Sequence, residues 1–391
     1  MALATLVFWM GRHRFIHVPA GGKRFVDEIT TPEGWKTLLR LLPLYALVAM
    51  FWALFDQTGS TWIFQAQDMD RQFLGFEWLP SQVQSLNSLF VLTFIPLFTY
   101  LLYPGISKFW PLTPLRKIGL GLFLMVGAFA LVTLVQSWID SGQTPNIGWQ
   151  VLAYALLTAS EVMVSIVALE FAYTQAPRTM KSLVMCFYLG AVAFGNLFTA
   201  GINKFVQIPT IDWISEEDAE SATHPGFDGK AGTMDDLKKK DGKVESAAKP
   251  VLAQAIDLVA GSHKQTGALP GTLDFQDLRD PWRQELQYTL LNSRTARISS
   301  PGPDKDLRTR WDLGVILTLP EEEREKKASW TDRFHPEEPW LERRKAELGV
   351  STTPVSNSEN PYPFTVDHYA GGGTRLEGTA YFRFFTWLML G

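Results

Sequence analysis

Long apolar runs separated by short polar loops fill the chain up to about residue 206, where the pattern changes to a charged one. Five of these runs are long and apolar enough to cross a bilayer as helices, which takes about 20 residues each. The pattern therefore predicts a mainly helical, polytopic membrane protein that also carries a large polar segment. The five predicted helices are 38–63, 82–104, 115–137, 148–174 and 182–205.

Shorter apolar stretches lie at the two ends, at 1–11 and 377–391. Basic residues follow the first stretch instead of preceding it, which is the reverse of a signal peptide. We interpret 1–11 as the end of one membrane helix and 377–391 as the truncated start of another. We therefore expect this chain to be a fragment of a longer protein.

The charges of the short loops predict how the helices are oriented. Lys and Arg are concentrated in the linker 12–37 and in the loops after the second and fourth helices, whereas the loops 64–81 and 138–147 are acidic. By the positive-inside rule the basic loops are cytoplasmic. The segment 206–376 is then extracytoplasmic, in a protein of the cytoplasmic (inner) membrane.

Composition argues against several other classes of protein. The net charge of the 391 residues is only −4, and no basic patch with interleaved aromatic residues indicates a nucleic acid partner. A single cysteine, Cys186, excludes a disulfide framework, and the six histidines lack the spacing of metal ligands. Phosphate-binding glycine loops and nucleophile elbows are missing from the sequence. We expect no enzyme and no cofactor.

Four polar residues recur along the predicted helix 148–174, at spacings of four, three and four that place them on one face. Such a stripe in a membrane helix should face the bundle interior or a water-filled cavity. Glu161 lies near mid-span, where a carboxylate can carry a proton or bind an ammonium group. A purely structural glutamate held by hydrogen bonds is the alternative. The four residues are Tyr154, Thr158, Glu161 and Ser165.

Glu170, nine residues beyond Glu161, falls on roughly the opposite face and near the cytoplasmic end. A structural or gating ion pair with Arg178 or Lys181 is favoured over a contact with substrate.

The predicted helix 38–63 carries a second polar face, on which Trp52, Asp56 and Ser60 follow one another at intervals of four and Gln57 lies beside them. An ionisable residue inside a membrane span is expensive and usually functional. Asp56 can pair with a cation and release it. Trp52 offers a rigid amphipathic wall, or alternatively a helix contact.

Asn87 and Gln84 share a face of the predicted helix 82–104. An asparagine amide can both donate to and accept from a peptide-like group, but it also commonly joins membrane helices. Both roles remain open. Tyr188 of the fifth helix has two roles open as well, packing and lining a pocket, and Gly195 permits a close helix approach.

Several motifs resemble the proton-coupled oligopeptide transporter (POT) family of the major facilitator superfamily. They are the F-W-A-L-F-D-Q-T-G-S stretch at 51–60, the Q-V-Q-S-L-N-S-L-F-V-L-T-F-I-P stretch at 82–96, and the E-V-M-V-S-I-V-A-L-E-F-A-Y-T-Q-A-P-R-T-M-K-S stretch at 161–182. The resemblance implies two six-helix bundles, of which this chain supplies most of the second: helices seven to eleven at 38–205, the end of helix six at 1–11, and the start of helix twelve at 377–391.

The resemblance also implies uptake of di- and tripeptides by symport with protons, the proton being the coupling ion. In this family pattern Glu161 meets the peptide amino terminus, Asn87 contacts the peptide and Asp56 belongs to the extracellular gate. The candidate substrate-binding residues are Glu161, Asn87, Trp52, Tyr188, Tyr154 and Ser165, and the candidate gating or proton-linked residues are Asp56, Gln57 and Glu170.

Partners expected from the resemblance are the lipid bilayer, small peptides and an N-terminal six-helix bundle. The family's first-helix E-x-x-E-R motif, tied to proton coupling, is not in this sequence. We therefore expect the chain alone not to accumulate dipeptides in liposomes. Two alternatives remain: a transporter of another small solute, and a non-transporting membrane scaffold that presents an envelope-facing domain.

The sequence of the insertion 206–376 predicts a small α+β domain. Residues 235–260 have the periodicity of an amphipathic helix, and the L-P, D-P-W and S-S-P-G-P-D motifs that follow resemble the soluble domain of type II secretion major pseudopilins over about 230–318. In that family the last loop can bind calcium, which makes Asp304, Asp306 and Asp312 weak candidates for a metal site. Residues 319–376 are expected to be partly disordered.

Overall fold

In the computed structural model, the residues described are 9–10, 27, 31–176, 180–215, 221–240, 243–275, 277–320 and 361–390. Most of the predicted linker 12–37 and of the predicted helix end 1–11 therefore lie outside the described residues, as do 321–360. The last residues of the predicted linker, from Pro32, are helical. All five predicted membrane helices are confirmed as helices long and apolar enough to cross a bilayer. Their spans are Leu38–Gln67, Pro80–Ser107, Pro114–Asp140, Gly148–Gln175 and Lys181–Val206.

Three of these spans contain a local change of helix type. The first of the five spans consists of α1 (Pro32–Phe55), a 3₁₀ turn (Asp56–Gly59) and α2 (Thr61–Gln67). The second is α3 (Pro80–Leu97), a π-helical turn (Phe98–Leu102) and α4 (Tyr103–Ser107). The fourth is α6 (Gly148–Glu161), a π-helical turn (Val162–Ile166) and α7 (Val167–Gln175). The third and fifth spans are the continuous helices α5 (Pro114–Asp140) and α8 (Lys181–Val206).

The 3₁₀ turn lies inside the predicted helix 38–63 and interrupts its regular α-helical spacing. The i, i+4, i+8 spacing of Trp52, Asp56 and Ser60 therefore does not run along one regular helix. The turn brings Thr58 and Gln57 into the interior, where both are buried, while Asp56 is exposed.

The helices pack in pairs, with α8 along α1, α5 against α6 and α3 against α6. Gly195 of α8 permits the first of these contacts, because an added Cβ would lie 2.2 Å from the carbonyl oxygen of Ala49. Two further hydrogen bonds join the same pair, from Tyr45 Oη to the Val184 carbonyl and from Thr199 Oγ1 to the Ala53 carbonyl. The close approach that the sequence predicted at Gly195 is confirmed.

A last helix, α10 (Gly378–Leu390), packs against α5. Its N-terminus is held by Asp140 at the end of α5, whose Oδ2 accepts from the backbone N and the Oγ1 of Thr379 at 2.8 and 2.7 Å. A carboxylate here satisfies free amide groups and the positive end of the helix dipole.

The insertion contains two antiparallel sheets and a helix. The first sheet is a meander of β3 (Ile214–Ser215), β4 (Ser221–His224), β5 (Leu237–Lys240) and β6 (Lys243–Glu245). The helix α9 (Lys249–Thr266) follows. The second sheet has the order β10-β9-β8-β7, from β7 (Gln287–Leu290), β8 (Thr295–Ser300), β9 (Leu313–Thr318) and β10 (Thr365–Ala370). A short hairpin, β1 (Gln72–Phe73) and β2 (Phe76–Glu77), lies in the loop before α3.

The predicted helix at 235–260 starts too early. The structure begins α9 at Lys249, and the residues before it form the β5–β6 hairpin. Leu237 and Val244 are buried on this hairpin while exposed lysines alternate with them, which is the period of a strand. The order of helix, turn and antiparallel sheet agrees with the prediction, and the resemblance to pseudopilins stays a prediction.

Residues 361–376 of the insertion form a strand and the turns that follow it, and the partial disorder expected for 319–376 stays a prediction. β10 pairs with β9 along its whole length, and Phe364 is only 2% exposed in the core. Gly371 donates its N–H to the Asp312 carbonyl at 2.8 Å, and its φ of +61° is suited to glycine.

The insertion is docked against the ends of the membrane helices. Arg297 of β8 forms a bidentate ion pair with Glu377, at 2.5 and 2.7 Å, directly before α10. Asn292 Nδ2 donates to Asp68 Oδ1 at 3.0 Å, in the loop after α2. These contacts tie the second sheet to both the last helix and the first span.

Candidate functional site

A polar cleft opens where α3 and α6 meet the 3₁₀ turn of the first span. Its volume is about 280 Å³. Because all three elements are apolar membrane segments, the polar groups here stand out against their surroundings. The lining residues are Phe55, Thr58, Gln84, Ser85, Asn87, Ser88 and Tyr154.

Asn87, Glu161 and Thr158 form a hydrogen-bonded cluster beside this cleft. Asn87 Nδ2 donates to Glu161 Oε2 at 3.2 Å, and Thr158 Oγ1 lies 2.5 Å from Asn87 Oδ1. An ionised carboxylate only accepts, so the amide nitrogen of Asn87 must face it and the amide oxygen is left for the hydroxyl. The sequence predicted Thr158 and Glu161 on one helix face, and Asn87 on another helix meets them there.

Glu161 is half-buried, and no cation forms an ion pair with it among the residues that the structure describes. It ends α6, and the π-helical turn starts at the next residue. Such turns are rare and frequently lie at functional sites. A carboxylate at this depth without a cation can hold a proton or take an ammonium group as its partner.

Tyr154 connects the cluster to the first span. Its side chain is 1% exposed, and its hydroxyl donates to the Thr58 carbonyl at 3.2 Å. The ring packs edge-on against Trp62, with 4.9 Å between centroids. Tyr154 therefore forms one rigid wall of the cleft and satisfies a carbonyl that the 3₁₀ turn frees.

Trp52, Tyr188 and Ser165 lie together on the α1–α8 side of Glu161. The Tyr188 hydroxyl donates to the backbone carbonyl of Ser165 at 3.0 Å, within the π-helical turn. The indole nitrogen of Trp52 is buried without a partner of good hydrogen-bond geometry among the described residues, although the Tyr188 side chain is beside it. The Trp52 indole N–H therefore faces the Tyr188 side chain in the interior of the bundle.

The predicted gating residues divide between two environments. Asp56 is exposed and forms no ion pair with any described residue. Gln57 is 3% exposed, and its Oε1 accepts from the Tyr381 hydroxyl of α10 at 2.6 Å. Gln57 thus joins the first span to the last helix, whereas Asp56 is free to meet a partner.

Glu170 is exposed on α7 and does not contact the Asn87–Glu161 cluster. Of its two predicted partners, Arg178 lies outside the described residues. Lys181 instead stacks on the Tyr173 ring, 4.0 Å from the centroid. The ion pair of Glu170 stays a prediction.

The three calcium candidates do not form a metal-binding group within the described ranges. Asp312 accepts from the backbone nitrogens of Arg308 and Thr309 at 2.7 and 3.1 Å, and burial raises the pKa of its carboxyl to about 6. Asp304 Oδ1 accepts from the Asp306 backbone N at 3.3 Å. The carboxylate oxygens of Asp304 and Asp312 therefore stabilise the loop between β8 and β9 through hydrogen bonds to its backbone.

Sequence reasoning missed the contribution of Tyr381 and Asn203. The Tyr381 hydroxyl lies 3.2 Å from Asn203 Oδ1 as well as close to Gln57. Nothing in the local sequence signals this contact, because the three residues are far apart in the chain. The sequence shows only that Tyr381, Asn203 and Gln57 are polar residues within apolar segments.

Five candidate membrane helices around a polar cleft define a polytopic membrane protein with a candidate site inside its bundle. The sequence matches the model of a known family: the POT family model PTR2 matches residues 23–218. The chain belongs to the POT family, which confirms the resemblance read from the sequence.

Proteins named as peptide transporters match parts of the chain. Peptide transporter PTR2 of Saccharomyces cerevisiae is 31% identical over 206 residues, which cover 49% of this chain and 32% of that protein. Peptide transporter family 1 of Drosophila melanogaster is 44% identical over 113 residues, covering 29% and 14%. The chain thus spans about a third or less of the length of these relatives.

Among solved structures, the POT family transporter PepTSo is 32% identical in sequence, with a TM-score of 0.44. The similarity covers 51% of this chain and 54% of that one.

Proposed function

We propose that this chain forms the second bundle of a proton-coupled symporter for di- and tripeptides, and that it is a transporter component and not an enzyme. The observation that carries this proposal is the Asn87–Glu161–Thr158 cluster. It places a carboxylate with no described cationic partner beside a polar cleft at membrane depth. Membership of the POT family and the relatives named as peptide transporters support the same function.

The geometry suggests how a peptide would bind. Its ammonium group is attracted to Glu161, and this contact competes with the 3.2 Å hydrogen bond from Asn87. The freed Asn87 amide can then donate to a peptide carbonyl. A proton on Glu161 removes its charge and with it the attraction for the ammonium group. Proton and peptide therefore exclude each other at this carboxylate, so Glu161 must be deprotonated when the peptide binds. In a symporter the co-transported proton is then held on another group, which the N-terminal bundle would supply.

Other parts of the whole transporter enter this proposal as well. The second bundle would work with an N-terminal six-helix bundle in the lipid bilayer, and Asp56 is placed to meet a cation from it. By the positive-inside rule the basic loops would lie on the cytoplasmic side of the cytoplasmic membrane. The insertion 206–376 would then lie on the outer side.

A chimera tests the function. In the yeast relative, the segment that matches this chain is replaced by the corresponding residues of this chain, and uptake of a labelled dipeptide is measured in cells that lack their own peptide transporters. We expect uptake that a protonophore abolishes and that unlabelled di- and tripeptides compete. Uptake competed only by another solute would favour the alternative substrate. A chimera that reaches the plasma membrane without transporting anything would contradict the proposal.

A further inference from the structure

An apolar groove lies between the last turns of α8 and the first turns of α10, on the side of the membrane where the insertion is docked. Its volume is about 600 Å³. Phe198, Gly201 and Phe205 of α8 form one wall, and Phe384 of α10 forms the other. The groove is separate from the polar cleft, which is lined by α3, α6 and the 3₁₀ turn.

The groove walls are open to their surroundings. Phe205 is 74% exposed and Phe384 is 38% exposed. Gly201 leaves room, since an added Cβ would meet no heavy atom within 4 Å among the described residues. From Phe198 to Phe205 the helix rises about 10 Å, so the groove accommodates part of one hydrocarbon chain. Exposed aromatic surface on a membrane helix is stable when an apolar molecule covers it.

Two arginines mark the mouth of this groove. The Arg375 guanidinium lies 5.5 Å from the centroid of the Phe205 ring, and its backbone N donates to the Val206 carbonyl at 2.8 Å. Arg308 of the insertion donates a hydrogen bond to the Arg375 carbonyl. Both side chains are exposed, and neither forms an ion pair with a carboxylate in the part of the chain that the structure describes.

We propose that this groove binds an anionic phospholipid, with one acyl chain along the Phe198–Phe205 wall and the phosphate beside Arg375 and Arg308. Arginine suits this position because its planar guanidinium recognises phosphate and stacks on aromatic rings. A zwitterionic lipid would fill the apolar wall equally well but would gain less from two uncompensated cations. The lipid would link the insertion to the last two membrane helices, whether or not the proposed transport activity holds.

Lipid selectivity is tested by native mass spectrometry of the full chain in mild detergent, with phosphatidylglycerol or phosphatidylcholine of identical acyl chains. A cation near a membrane surface favours an anionic headgroup by about fivefold. We expect phosphatidylglycerol to be retained at least fivefold better, and Arg375→Gln to reduce that preference about fivefold. Arg279→Gln, in an exposed ion pair with Glu285 elsewhere on the insertion, should leave the preference unchanged.

The apolar wall has its own pair of variants. Gly201→Leu should fill the groove and reduce retention of both lipids severalfold, with the helical content unchanged by circular dichroism. Gly190→Leu is the matched control, because Gly190 is exposed on the same helix and also has free space around its Cβ position. Equal effects of the two leucines would overturn the proposal.

Three other results would also overturn it: equal retention of the two lipids, full displacement of phosphatidylglycerol by inorganic phosphate, and a dimer of this chain in place of the lipid adduct. The second would indicate a simple anion site, and the third an interface between copies.

Discussion

Asn87 is the residue through which α3 and α6 meet, because one amide contacts both Glu161 and Thr158. Asn87→Leu would leave the Glu161 carboxylate without this partner, while the Thr158 hydroxyl would keep its hydrogen bond to the Tyr154 carbonyl. An unsatisfied buried group costs about 1–3 kcal/mol, so we expect a lower melting temperature in detergent and at least tenfold weaker dipeptide uptake in the chimera. Asn196→Leu is the control, since Asn196 is exposed on α8. Equal effects of both substitutions would contradict the role of the cluster.

Much of the cluster was predictable from the sequence at this scale. A spacing of three to four residues puts Tyr154, Thr158 and Glu161 on one helical face, and all three make contacts on the cleft side. The same spacing does not predict the position of Ser165, because the π-helical turn after Glu161 changes the number of residues per turn. Ser165 enters the structure through its carbonyl instead. The partner of Gln57, Tyr381, is set by tertiary packing that no local period records.

At the scale of elements, the contact of α1 with α8 depends on Gly195. Gly195→Ala would place a Cβ 2.2 Å from the Ala49 carbonyl oxygen, so the two helices would have to separate. Overpacking of this kind costs about 1–3 kcal/mol, and we expect the melting temperature of the chain in detergent to fall by several degrees. Gly190→Ala, on the same helix with free space around it, should change the melting temperature little. A melting temperature unchanged by Gly195→Ala would contradict the close approach.

The elements also show where sequence patterns are ambiguous. Five membrane helices follow from length and apolarity alone, because a bilayer requires both. The β5–β6 hairpin resembles the start of a helix in the sequence, because its two buried residues, Leu237 and Val244, are seven apart and also fit a helical period. The pairing of β5 with β6 distinguishes the hairpin from a helix.

For the whole molecule, the ion pair of Arg297 with Glu377 holds the insertion to the last helix. Both side chains are about one-fifth exposed or less. Removing one partner of a buried pair costs about 3–5 kcal/mol, so Glu377→Gln should increase hydrogen exchange in β8 and at the start of α10. Glu285→Gln breaks the exposed pair with Arg279 and should have little effect. Unchanged exchange in Glu377→Gln would show that other contacts hold the insertion.

A second contact of the insertion depends on pH. Burial raises the pKa of Asp68 from 3.8 to about 6, with a smaller contribution from Asp140, while Arg294 and Asn292 oppose the rise. A carboxyl whose pKa is raised in the docked state favours docking when protonated. Docking should therefore weaken as the pH rises from about 4 to about 6 and stay constant above that.

Hydrogen exchange of residues 291–294 at pH 5 and pH 7, corrected for the intrinsic chemical rates, measures this effect. We expect stronger protection at pH 5. Asp68→Asn, which cannot titrate, should remove the difference between the two pH values. A difference that persists in Asp68→Asn would assign the pH dependence to another group.

The central claim is that the Glu161 carboxylate binds the peptide ammonium group. Proton-driven dipeptide uptake by the chimera with Glu161→Gln tests it most directly, because glutamine has nearly the same shape but carries no negative charge and does not titrate. The control is Glu77→Gln, which removes a carboxylate from the Arg71 ion pair in the loop before α3. We predict that Glu161→Gln abolishes proton-driven uptake, by at least a hundredfold, while Glu77→Gln retains it. Uptake by Glu161→Gln at the level of the Glu77→Gln control would contradict the account.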